Sequence, residues 1–90
     1  DCSDDDFTWA KSMLVPQPSS PYMDPMRTTE ANFGLVPRFY IECLKDQALP
    51  ADTQKQIYTN MPCQRVMTLD TGHSPFISAP QDLVAHLVSV

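Results

Sequence analysis

Arg38-Phe-Tyr-Ile-Glu-Cys-Leu44, Pro50-Ala-Asp-Thr-Gln-Lys-Gln-Ile-Tyr-Thr-Asn60 and Arg65-Val-Met-Thr-Leu69 decide the fold. The first run is rich in aromatic and β-favouring residues and is launched by Pro37, which predicts a strand. In the second, Gln54, Ile57, Tyr58 and Met61 share the three- and four-residue spacing of one helix face, opened by Pro50. The third reads as another short strand. A strand, a crossover helix and a second strand within about 30 residues form the parallel unit of α/β architecture. Parallel sheets are covered on both faces and use more than two strands, so a lone pair leaves open edges and uncovered apolar area. The expectation is a chain that supplies the last strands and helices of a larger sheet, completed by another polypeptide segment. Asp rather than Met at position 1 agrees with a natural start lying upstream.

Working outward, Ser3 followed by Asp4, Asp5 and Asp6 offers a hydroxyl cap and carboxylates to the positive end of a helix dipole. Phe7, Ala10 and Leu14 recur at helical spacing beside Trp9 and Met13, and Pro16 forbids continuation, so a helix is expected over about Asp4 to Val15. Residues 16–26 carry four prolines and no period, which predicts an extended connector. A short helical turn is expected around Thr29 to Phe33. Ser78-Ala-Pro-Gln81 has the form of a capping box before the apolar stripe Leu83, Val84, Leu87 and Val88. The predicted order is helix, loop, strand, helix, strand, helix.

Composition excludes several function classes. Six Lys and Arg against 11 Asp and Glu give a formal charge of −5, which makes a phosphate-tracking surface and a nucleic-acid partner poor expectations. No stretch nears the roughly 18 apolar residues of a membrane helix, and Asp1 to Asp6 is unlike a signal peptide. A soluble, cytoplasmic protein without a membrane partner is expected. Nine prolines in 90 residues punctuate the chain without forming a repeat. Cys2, Cys43 and Cys63 are odd in number and lack C-x-x-C spacing, which argues against a disulfide framework and for a reducing compartment. Cys43 and Cys63 read as small buried hydrophobes, and the Asp4 to Asp6 run lacks partners for a metal site.

Two residues stand where α/β proteins collect chemistry. Asp46 follows the first strand and His73 the second, at the carboxyl ends of neighbouring parallel strands about 4.8 Å apart. An aspartate there can hold one imidazole nitrogen and leave the other to take a proton from a nucleophile. An Asp after a strand is also an ordinary turn residue, and a His beside Gly an ordinary loop residue. Asp24 and Asp70 read as solvated turns, and His86 as the partner of Asp82 in a helix-edge ion pair. With only Gly34 and Gly72, no G-x-S-x-G nucleophile elbow can be written.

Asp1 to Lys11, Val36 to Pro50, and Asp70-Thr-Gly-His-Ser-Pro-Phe76 with Ala79-Pro-Gln81 resemble the C-terminal third of the plant methylesterase and hydroxynitrile lyase group of α/β-hydrolases. The resemblance is nearest to bacterial esterases of that group, pyrethroid-hydrolase-like ones included. It implies that residues 1–35 are the end of a cap region and its return to the core, and residues 36–90 the C-terminal βαβα part of the core. It further implies a Ser-His-Asp esterase in which Asp46 orients His73, with Trp9, Met13 and Leu14 lining the acyl or alcohol pocket. The nucleophile and oxyanion N–H groups would then belong to the N-terminal portion of the same hydrolase. Lyases of the group carry lysine directly after the histidine, where this chain has Ser74, so a carboxylesterase for uncharged, fairly apolar small-molecule esters is expected, with no metal or organic cofactor. A homodimer is a further expected assembly. The competing expectation is a non-catalytic module whose edge strand docks on another protein.

Overall fold

The computed structural model describes residues 1–90 as two parallel strands, β1 (Phe39–Cys43) and β2 (Arg65–Leu69), joined through helix α3 (Ala51–Asn60). Phe39 pairs with Arg65, Ile41 with Met67 and Cys43 with Leu69. Before them stand α1 (Asp4–Met13), the short helix α2 (Ser20–Met23) and a 3₁₀ turn at Phe33–Leu35; after them come α4 (Pro75–Ser78) and α5 (Pro80–Leu87). The mixed content and parallel pairing are those of an α/β chain.

The strand pair is covered on both faces, but thinly. Tyr58 of α3 stacks at 5.2 Å and a 57° tilt on Tyr40, and its hydroxyl donates to Glu42 at 3.4 Å. Tyr40 and Glu42 alternate with Ile41 along β1, so α3 covers one face. Ser89, just past α5, reaches Met67 Sδ at 3.8 Å, and Met67 is the partner of Ile41 on the opposite face. Only Cys43, Met67 and Leu69 form a buried apolar core, joined by two buried polar residues, Gln54 and Thr71. Trp9 remains 61% exposed and Leu14 79%, and no residue of α1 is buried.

Several local expectations need correction. The first helix ends at Met13 rather than Val15: Leu14 is extended and caps it, its N–H donating to Lys11 O, and Val15 directly precedes Pro16, a position that disfavours the α region. The connector is not extended throughout. Pro21 stands in the first turn of α2, since its fixed φ is helical and its missing N–H leaves no intrahelical bond unmade there. The turn expected at Thr29 to Phe33 is present, with Asn32 N–H donating to Thr29 O at 3.2 Å, and it runs on into the 3₁₀ turn at Phe33–Leu35, where Arg38 donates to Phe33 O at 3.0 Å and lies over the Phe33 ring. There is no capping box. Ser78 closes α4, Ala79 caps α5 without a side-chain bond, and Pro75 and Pro80 each start a separate helix. His86 does not meet Asp82; its Nε2 lies 3.2 Å from Thr68 O of β2.

Because so few apolar side chains are fully enclosed, each carries a large share of the packing. Leu69→Ala is expected to cost about 2–5 kcal/mol in urea unfolding of the intact protein, against no more than about 0.5 kcal/mol for Met26→Ala at an exposed position.

Candidate active site

The two strands deliver their loops in step. Beyond the last strand pair, Leu44 N–H donates to Leu69 O at 2.9 Å and Lys45 N–H to Thr71 O at 2.9 Å, so the ladder continues into the turns. Asp70 is a solvated turn residue as read, and Lys45 Nζ also meets its Oδ2 at 2.7 Å. Both of those side chains are exposed, and such pairs are worth about 0–1 kcal/mol. The backbone ladder therefore sets how the loops approach.

On these loops Asp46 Oδ2 lies 2.8 Å from His73 Nδ1. Asp46 Oδ1 accepts from the amides of Ala48 and Leu49, both at 2.8 Å. The aspartate thus answers both readings of its sequence position: one oxygen caps a turn and the other holds an imidazole. Its side chain is 5% exposed and that of His73 63%. Burial pushes the Asp46 carboxyl up, but the Leu49 amide, the His73 ring and the Ala48 amide outweigh it and leave the carboxyl below its ordinary value of 3.8. With Nδ1 engaged by a carboxylate, the neutral ring carries its proton there and presents Nε2 as a free base.

His73 faces an open cavity of about 680 Å³ whose lining includes Trp9, Met13 and Leu14, together with Phe7, Phe76 and Ile77. The structure brings all five residues singled out from the sequence into one region: Asp46 against His73, and the three apolar residues around the same cavity as His73. Ser74 lines it as well. At its edge Gly72 N–H donates to Asp1 Oδ2 at 2.5 Å, and a Cβ on Gly72 would stand 3.1 Å from Asp1 Oδ1, so a glycine permits that approach. No group of three or more His, Cys, Asp or Glu side chains converges as a metal ligand set.

One residue of the site was not anticipated. Gln54 is 2% exposed and binds the backbone at Cys43 and Leu49, either side of Asp46. The signal in the sequence is a polar side chain within the otherwise apolar stripe of α3; only the fold reveals what it bonds.

A carboxylate with a lowered pKa ties folding to pH in one direction. The stability Asp46 contributes is present above its unfolded pKa of about 3.9 and is lost as pH falls through the still lower folded value. Urea midpoints of the wild type and Asp46→Asn are expected to differ at pH 7 and to draw together as pH falls below about 4.

No protein-family profile matches the chain. It is 35% identical over 74 residues to putative methylesterase 11, chloroplastic, of Arabidopsis thaliana, covering 81% of the chain and 19% of that protein. Over 63 residues it is 38% identical to methylesterase 3 and 36% to methylesterase 7 of the same plant, covering 69% of the chain and 24% of each. The chain spans about a fifth to a quarter of the length of these curated relatives. Over most of its 90 residues the chain is thus distantly similar to plant methylesterases, members of the α/β-hydrolase family.

Proposed function

We propose that the chain is the C-terminal part of a serine carboxylesterase of the α/β-hydrolase fold, with residues 1–35 ending the cap and residues 36–90 closing the core. The observation that carries the reading is the 2.8 Å contact of Asp46 Oδ2 with His73 Nδ1, beside an open apolar cavity. The nucleophilic serine belongs to the N-terminal portion of the same hydrolase, since no nucleophile elbow can be built around Gly34 or Gly72. The two-stranded sheet with both edges unpaired, and the exposed apolar side chains of α1, support such a completing segment.

In the reaction His73 Nε2 takes the serine proton as the oxygen attacks the ester carbonyl, and Asp46 stabilises the imidazolium. The same proton then goes to the leaving alkoxide as the C–O bond breaks. Water, deprotonated by His73, releases the acid and restores the serine. The lining of Trp9, Met13 and Leu14 favours uncharged, fairly apolar esters, because carbon surface rewards apolar groups and leaves a charge without partners. Ser74 after the histidine offers no cation for a cyanide leaving group, which favours ester hydrolysis over hydroxynitrile cleavage. Kinship with bacterial pyrethroid-hydrolase-like esterases is the finer part of this proposal.

His73→Ala is expected to lower hydrolysis of 4-nitrophenyl acetate by the intact protein by about 10⁴-fold or more, and to suppress labelling by a fluorophosphonate probe. Undiminished turnover in that variant would remove His73 from the mechanism. Trp9→Ala is expected to reduce kcat/KM roughly tenfold for an apolar ester such as 4-nitrophenyl hexanoate and less for the acetate, read from initial rates.

A further inference from the structure

We infer that Gln54, which no family likeness assigns to the site, is its positioning residue: one side-chain amide of α3 closes the Cys43–Leu49 segment and thereby aims Asp46 at His73. The inference rests on the catalytic reading of the Asp46–His73 pair.

Gln54 Oε1 accepts from Cys43 N–H at 3.0 Å, while Nε2 donates to Cys43 O at 2.9 Å and Leu49 O at 2.7 Å. Only this orientation of the amide satisfies the partners, since the Cys43 amide can only donate and the two carbonyls can only accept. Asp46 sits midway between Cys43 and Leu49. Inside the segment Asp46 N–H donates to Cys43 O at 3.3 Å, and Leu49 N–H donates back to Asp46 Oδ1. Both ends of the turn are therefore fastened to one group, and the turn fastens the carboxylate. The geometry is fixed from this side, because the His73 side chain is 63% exposed and a single contact to an exposed ring positions little. A fully bonded amide in the least exposed side-chain position of the chain is otherwise costly to keep, since an apolar residue would fill the stripe without desolvating a polar group.

The role separates from mere stabilisation through the tautomer of His73. When Asp46 is held in place, neutral His73 is the Nδ1–H tautomer; when it is not, the ring is released to the Nε2–H form and Nε2 is lost as a base. The test uses the intact protein labelled with ¹⁵N at histidine, with the His73 signals assigned by their absence in His73→Ala. Asp46→Asn, Gln54→Met, Gln54→Glu and, as a packing control on the same helix, Tyr58→Ala, which removes the contact with Tyr40, are compared. Asp46→Asn is expected to shift His73 toward the Nε2–H tautomer. Either Gln54 variant, whichever folds, is expected to shift it the same way and to lower kcat for 4-nitrophenyl acetate about 10²-fold at nearly constant KM. Tyr58→Ala is expected to lower the melting temperature without moving the tautomer. Gln54 variants that keep the wild-type tautomer and kcat, while Asp46→Asn changes both, would overturn the positioning role and leave the pair intact. If Asp46→Asn itself leaves the tautomer unchanged, the catalytic reading of the pair falls, and the inference with it.

Discussion

The in-register parallel pairing of β1 and β2 is the constraint on which the rest of the structure depends. Parallel strands point their carboxyl ends the same way, so the loops that follow Cys43 and Leu69 must start side by side. Asp46 and His73 are 27 residues apart in the chain, yet each is only three or four residues beyond a paired strand end. Neither a salt bridge nor a hydrophobic contact between the loops is required to bring them together. A one-residue slip in the register would displace one loop along its neighbour by about 3.3 Å, more than the length of the hydrogen bond that joins the pair.

Asp46 shows how a turn residue becomes part of a chemical site. Its carboxylate has two oxygens, and the turn uses only Oδ1. The turn that traps the carboxylate also orients the free oxygen, and the amides that hold Oδ1 favour the ionised form that an imidazole needs beside it. A turn and a histidine partner are often weighed as rival explanations of an aspartate after a strand; here the first is the means to the second.

Much of this was legible in the sequence, and the reasons are local. β2 is found at Arg65–Leu69 as read, and α3 follows Pro50 because the proline fixes φ while helical periodicity carries the segment on. The errors cluster at prolines. Pro16, Pro21, Pro75 and Pro80 restrict their own φ and the residue before them, but such restriction suits a helix start as readily as an extended stretch. The motif Ser78-Ala-Pro-Gln81 satisfied a capping pattern while the backbone was already committed to a separate turn at Pro75. His86 was read against Asp82 on its own helix, whereas its partner is a strand carbonyl that only packing supplies. Gln54 is the same kind of case: its place on α3 was visible, its three backbone partners were not.

The site divides into two parts with different physical support. Asp46 and His73 are held by hydrogen bonds within residues 39–73: the strand ladder, the Asp46 turn and the Gln54 amide. The cavity wall of Trp9, Met13 and Leu14 belongs to the region of α1, a helix with no buried residue, tied to the His73 loop through the Gly72 to Asp1 contact. Apolar burial acts in proportion to area removed from water, so the side chains of α1 gain little from this chain alone. The geometry of the Asp46–His73 pair is thus encoded locally, while pocket shape depends on the exposed side chains of α1. In the proposed esterase, a segment that packed on α1 would reshape the pocket, and with it the choice of ester, without disturbing the pair proposed to move the proton.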